Sequence, residues 1–385
     1  MTPCSVIRLA ALLCMPCALA ACGGGEHPAA AQGGNPRSVS VASTDDEKRL
    51  NIYSWADYVA PDTVASFEKE TGIKVNYSTY DNNEVLETKL LTGHSNYDIV
   101  VPSENFFDRQ LRAGVYRKLD KQLLPNLVNA DPEIMRRMAI HDPGNQYAIP
   151  YMWSTMGLGY NVALVRARLG ADVPQSWALL FDPRNAAKLA DCGIALVDSP
   201  LDIFESAIIY LGRDPGRHDP EDLKAAGALL SKIRPFIRII NPFLISPLAN
   251  GDVCLSLVWS GDVEVARQRA IEAAAGVHIE YFVPREGALM TLDMMGIPAD
   301  APHPHNAELW MNYLLRPEVM ARITNFIRYP NGNAAALPLV DAAIRSDPAV
   351  YPDPATRARL RTNAAVSIEY SRQVTREWTR FRTGQ

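Results

Sequence analysis

The chain has 385 residues, of which 48% are hydrophobic and 21% charged, and its 38 Lys and Arg against 43 Asp and Glu leave a formal net charge of -5. Those figures exclude a disordered chain, a collagen-like chain and a multi-span membrane protein. They also lack the basic excess or stripe of a nucleic-acid binder, while the length suggests two to three domains at roughly 150 residues each.

Residues 1–21 read as a signal peptide. Arg8 precedes an apolar run from Leu9 to Ala21, broken only by Pro16 and too short to span a bilayer. The ending Leu19-Ala20-Ala21-Cys22 matches the bacterial lipoprotein signal, in which the cysteine is lipidated and becomes the new N-terminus. The expectation is a periplasmic protein anchored to a membrane by lipid at Cys22; an ordinary signal peptide with a cysteine nearby is the alternative. Residues 22–48 follow as a lipidated end and a flexible tether without periodicity, rich in Gly, Ala and Ser. Cys4, Cys14 and Cys17 leave with the signal, so the mature fold keeps Cys192 and Cys254. An isolated pair in an exported protein is most simply one disulfide, with two buried free thiols as the alternative.

Folding is expected to begin near Arg49. Residues 50–53 alternate as a strand, 63–70 form a helix stopped by Gly72, and 74–80 alternate again. A helix is predicted over 83–91, with Val85, Leu86 and Leu90 apolar and Gly93 as its stop, and a short strand over 97–101 ends at Pro102. This β-α-β-α-β order predicts a parallel sheet with helices on its faces, and in such sheets a ligand sits beyond the carboxyl ends of the strands. Trp55 to Tyr58 and Ser103 occupy those ends. Beyond them, 148–160 reads as a connection into a second lobe. Strands are predicted over 194–198, 253–259, 278–283 and 291–297, and helices over 307–315 and 317–326.

Catalytic patterns are sparse. There is no Gly-x-Ser-x-Gly, no His-Glu-x-x-His and no phosphate loop. Gly157-Leu158-Gly159 opens like a dinucleotide fingerprint, but Val162 breaks it. His303-Pro304-His305 is a possible metal pair that reads more simply as solvated surface. No cofactor and no metal is expected. An exported hydrolase with a triad dispersed in sequence stays open as a rival.

The informative pattern pairs aromatic with acidic residues. Trp55, Asp57 and Tyr58 sit together, as do Trp259 and Asp262; Asp202 and Asp293 lie at or near predicted strand ends, and Tyr329 opens a Tyr-Pro-Asn-Gly-Asn turn. An alkyl ammonium leaving water needs carboxylates, and aromatic faces hold cations and pack methylenes. Each residue also has a plain reading, Trp as core and Asp as a helix N-cap.

The stretches IYSWADYVAPDTVASFEKETGIKV, YDNNEVLETKLL, YDIVVPS, YAIPYMWSTMGLGYN, LANGDVCLSLVWSGDV, YFVPREGA and MNYLLRPEV resemble the periplasmic polyamine-binding proteins of bacterial ABC transporters, most closely the putrescine-binding type. The resemblance covers essentially all of residues 49–385. It implies an α/β class II periplasmic binding protein, two lobes each with a central β-sheet flanked by helices, and a ligand cleft between them. The expected lobes are 49–151 plus 280–328, and 152–279 plus 329–385. By that resemblance such a protein is a monomer, is not an enzyme, and delivers a polyamine, putrescine above all, to ABC transporter permease subunits. The family's ligand-binding positions fall on Trp55, Ala56, Asp57, Tyr58, Ser103, Asp202, Trp259, Asp262, Thr291, Asp293 and Tyr329. Ala56 stands where the putrescine binder has Ser, Asp202 near its Glu, and Thr291 where it has an aromatic, so the resemblance fixes the ligand class more firmly than the individual polyamine. Another small cationic ligand, an amino acid, an opine or a sugar remains as an alternative. The family also pairs two cysteines flanked like Cys192 and Cys254.

Overall fold

A computed structural model describes residues 47–362 and 366–384. The signal segment, Cys22 and tether residues 23–46 lie outside the described residues. Residues 47 and 48 are already tied to the fold. The Lys48 carbonyl accepts the backbone N–H of Lys74 at 2.8 Å, and Asn306 Nδ2 donates to the Glu47 carbonyl at 2.9 Å.

Strand β1 (Arg49–Trp55) runs parallel to β2 (Lys74–Tyr80), in register from Arg49 opposite Lys74 to Trp55 opposite Tyr80. β3 (Ile99–Val100) pairs parallel on the other edge of β1. The intervening helices are Thr63–Thr71 and Asn83–Leu91. Gly72 ends the first at φ 73°, a left-handed turn that returns its N–H to the Glu68 carbonyl. Asn82 caps the second by accepting from Val85 N–H at 2.9 Å. Of its three apolar residues Leu86 and Leu90 are buried, while Val85 is 47% exposed.

β3 is shorter than the predicted 97–101, although Asp98 still donates its backbone N–H to the Asn51 carbonyl at 2.7 Å. Its carboxylate accepts the backbone N–H of Asn51 at 2.7 Å and of His303 at 2.6 Å. His303 Nδ1 also lies 3.1 Å from Asp98 Oδ2. The histidine expected at a solvated surface is therefore buried and holds an internal carboxylate. Among the described residues, no group of His, Cys, Asp and Glu is arranged to hold a metal ion.

The remaining strands are β4 (Ala148–Asn161), β5 (Ile194–Leu196), β6 (Ile237–Ile240), β7 (Leu255–Trp259), β8 (Ile279–Phe282), β9 (Ala288–Gly296) and β10 (Leu360–Thr362). Their order is β2-β1-β3-β9-β4-β7-β5-β6, with β10 beside β9 and β8 beside β4. The expected connection at 148–160 is thus a strand, buried along its whole length. It runs antiparallel to β9 from Ala148 to Thr155, then antiparallel to β7 and β8 from Met156 onward. β4 and β9 together join the two ends of the sheet. Their register shifts between Pro150 and Trp153, where Met152 bridges Asn331 instead; proline brings no N–H to a ladder.

Two apolar clusters fill the faces. One packs Leu50, Ile52, Ile99 and Val101 under the helices Pro304–Leu314 and Pro317–Ile327. The other gathers β5, β7 and β8 with the helices Pro200–Tyr210, Pro220–Ile233 and Ile368–Thr383. Those three helices, and Ser260–Glu272, are absent from the sequence reading. Cys192 and Cys254 form a disulfide with Cα atoms 5.5 Å apart. Among the described residues, no helix is long and apolar enough to cross a membrane.

Candidate functional site

Asp293 lies within β9, not at a strand end, because β9 begins three residues earlier than predicted. It bridges Ser103, the N-cap of the helix Glu104–Arg112 that follows β3. The Tyr58 hydroxyl donates to Asp293 Oδ2 at 2.5 Å, and the Ser103 hydroxyl donates to Oδ1 at 2.9 Å. Asn83 fixes the serine from both sides: its Oδ1 accepts Ser103 N–H and its Nδ2 donates to Ser103 Oγ, each at 3.1 Å. Tyr151 supports Tyr58, donating its hydroxyl to the Tyr58 carbonyl while the rings meet edge to face at 5.5 Å.

Asp262 sits across from this group in the first turn of Ser260–Glu272, directly after β7. There the positive end of the helix dipole favours a carboxylate. The Tyr329 hydroxyl donates to Asp262 Oδ1 at 3.0 Å. The Tyr329 and Tyr58 rings touch edge to face, with centroids 5.7 Å apart and planes at 78°. A continuous row results: Asp293, Tyr58, Tyr329, Asp262. Gly261 makes it possible, because a Cβ there would lie 1.9 Å from a Tyr329 ring carbon.

Trp55 and Trp259 each end a strand. Trp55 ends β1, donates Nε1 to the Val101 carbonyl at 2.9 Å and packs on Tyr80 at 4.6 Å. Trp259 ends β7 opposite Met156 and is half-buried. Thr291 lies two residues before Asp293 on the same face of β9, and its Oγ1 is buried without a hydrogen-bond partner. Asp202 is not at a strand end; it occupies the first turn of Pro200–Tyr210, accepting the Ser199 hydroxyl at 2.7 Å. Ala56 and Asp57 are exposed, and Asp57 holds φ 53°, a turn conformation that aspartate tolerates. Asp57 makes no hydrogen bond to the Asp293 group.

Three contributors escaped the sequence reading. They are Asn83, Tyr151 and Glu104. Glu104 is fully buried, and its Oε2 accepts Leu292 N–H at 2.8 Å. Gly157, the residue of the failed fingerprint, has a packing role: a Cβ there would lie 2.4 Å from the Tyr281 hydroxyl.

Burial pushes the carboxyls of Asp262 and Asp293 up to about 6; the Tyr329 bond restrains the first, and the Tyr58 and Ser103 bonds the second. Burial, before the neighbouring carboxylates, also raises the Tyr58 and Tyr329 phenols well above their ordinary value, so both stay protonated donors. Among the described residues neither Asp262 nor Asp293 forms an ion pair. Two half-hidden negative groups without a protein cation, separated by aromatic rings, are chemically suited to a small positive guest.

Residues 62–352 match the family model for bacterial extracellular solute-binding proteins. The chain is 47% identical over 349 residues to the putrescine-binding periplasmic protein SpuD of Pseudomonas aeruginosa, covering 90% of this chain and 95% of that one. It is likewise 47% identical over 352 residues to the putrescine-binding periplasmic protein PotF of Escherichia coli, covering 90% and 95%. Among solved structures, the spermidine/putrescine ABC transporter substrate-binding protein PotD of Streptococcus pneumoniae superposes with a TM-score of 0.76 at 27% identity, covering 87% of this chain and 99% of that one.

Proposed function

This chain belongs to the bacterial extracellular solute-binding protein family, and from that premise we propose that it captures putrescine or a related polyamine outside the cytoplasm and delivers it to the permease of an ABC importer. The observation that carries the reading is the row Asp293–Tyr58–Tyr329–Asp262. Its carboxylates come from β9 and from the helix after β7, on opposite sides of the β4–β9 join.

A diamine would bring one ammonium to Asp293 and the other to the Asp262 and Asp202 side, its methylenes lying among Trp55, Tyr58, Trp259 and Tyr329. Residues 49–151 with 280–328 would form one lobe, and 152–279 with 329–385 the other. A ligand carrying two positive charges binds the closed arrangement more tightly than the open one, which gives closure a cause. The protein acts as a carrier, returning its ligand unchanged, and reaches the membrane through lipid at Cys22. Ala56, Asp202 and Thr291 leave room for ligands longer or bulkier than putrescine.

The test is mass spectrometry of the ligand released from purified mature protein, followed by calorimetry with putrescine, spermidine, cadaverine and agmatine. Binding of at least one polyamine is expected. Release of a sugar or an amino acid, with no heat from any amine, would overturn the reading.

A further inference from the structure

Glu205 stands apart from every role assigned so far. It lies on Pro200–Tyr210, three residues beyond Asp202, and is only 1% exposed. Neither carboxyl oxygen has a hydrogen-bond partner. It lines a cavity of about 330 Å³ bounded by that helix, by Pro132–Met138 and by the β9–β10 edge, with Leu289 and Leu360 in its wall. Two arginines at its border are already neutralised. Arg137 pairs with Glu133 at 2.9 Å and Arg361 with Asp214 at 2.9 Å, while Arg136 is exposed. A buried carboxyl without a partner is costly, and such a group in a native fold calls for an occupant.

Leu289 ties the cavity to β9, the strand that carries Asp293. Asp293, Thr291 and Leu289 alternate along one face of β9, so Leu289 marks the next step beyond Thr291. Asp202 and Glu205 are one helical turn apart, with Cβ atoms about 5–6 Å from each other. The link is also electrical. After burial itself, the charges of Asp202, Glu104 and Asp214 push the Glu205 carboxyl well up, and Glu104 in turn feels both Asp202 and Asp293. An aminopropyl arm, three methylenes and a nitrogen, reaches roughly 5 Å, the length of that helical step.

We propose that Glu205 and its cavity form a third cation subsite, which receives the far nitrogen of a linear triamine whose other two nitrogens occupy the Asp262 and Asp293 ends. This deepens the polyamine reading and rests on it. Leu289 and Leu360 pack the arm, and Glu205 accepts its terminal ammonium.

Calorimetry with putrescine and spermidine on the wild type, Glu205→Gln and Glu205→Asp tests it. The wild type should bind both ligands. Glu205→Gln should weaken spermidine at least tenfold more than putrescine, and Glu205→Asp, which keeps the charge, should restore most of that difference. Three results would overturn the proposal: a wild type that takes putrescine and refuses spermidine, equal losses for both ligands in Glu205→Gln, or no rescue by aspartate. The wild-type comparison stands even if a variant fails to fold. Should the wild type bind neither amine, the polyamine reading itself falls and the third subsite with it.

Discussion

The two ends of the ligand row are built differently. At Asp293 both carboxylate oxygens already accept protein hydroxyls, and one donor, Ser103, is itself clamped by Asn83. At Asp262 one hydroxyl donates to one oxygen. The first end is rigid and held mid-strand; the second sits on a helix start beside a tyrosine that depends on a glycine for its place. Both carboxyls are raised by burial but restrained by unequal frameworks: two hydroxyl bonds, from Tyr58 and Ser103, at one end, and one, from Tyr329, with the charge of Arg269 at the other. In the proposed reading the rigid end orients the guest, and the sparer end leaves more acceptor capacity for it to fill.

Acidification strikes both ends at once and should give the largest effect. With both carboxyls at about 6 in the ligand-free protein, protons compete with a cationic ligand below that pH. Putrescine affinity should fall by about tenfold per carboxylate between pH 7 and pH 5. The ligand-free fold responds with the opposite sign. Between the ordinary aspartate value of 3.8 and about 6 the folded state holds extra protons, so these two groups make it less stable as pH rises through that window and add no further change above it. Thermal unfolding with and without ligand separates the two trends, and a flat affinity profile would remove both acids from the site.

Single charge deletions come next. Asp262→Asn should weaken putrescine by about 1.5–3 kcal/mol in calorimetry, the scale of a hydrogen bond to a charged group. Asp293→Asn should cost less, because Tyr58 and Ser103 still hold the side chain in place. The reverse order would mean that the rigid end carries the stronger ligand bond. Gly261→Ala tests the sparer end without touching its charge. The added methyl must displace the Tyr329 ring, so affinity should drop by about 1 kcal/mol or more, the worth of the lost Tyr329 bond. Smallest are the hydroxyl deletions, at about 0.5–1.5 kcal/mol each. Tyr329→Phe should exceed Ser103→Ala, since it strips Asp262 of its one donor while Asp293 keeps Tyr58. Equal losses would erase the proposed contrast.

The rigid end was the more legible in sequence. Alternation in 74–80, Gly72 and Gly93 as stops, and Pro102 after an apolar run located β1 to β3 and placed Trp55, Tyr58 and Ser103 at strand ends. Asp57, read from the same cluster, proves to be an exposed turn residue at φ 53°, a placement that its neighbours Trp55 and Tyr58 do not announce. The helix Pro200–Tyr210 gave no amphipathic signal, since residues 202–209 are all buried; Asp202 was therefore assigned to a strand end and Glu205 passed unnoticed. Ile368–Thr383 did carry a signal: its buried residues Tyr370, Val374, Trp378 and Phe381 recur every three or four positions. Glu104 and His303 show the remaining limit. Composition makes such residues surface by default, and only long-range partners, Leu292 for one and Asp98 for the other, bring them inside.

The disulfide between Cys192 and Cys254 belongs wholly to the β5–β7 side, closing a loop of 62 residues at the root of the strand whose tip bears Trp259 and Asp262. It crosses neither β4 nor β9. The bridge thus ties the roots of β5 and β7 and leaves the β4–β9 pairing untouched. In the chain-entropy account it contributes about 4 kcal/mol to the stability of that part of the sheet.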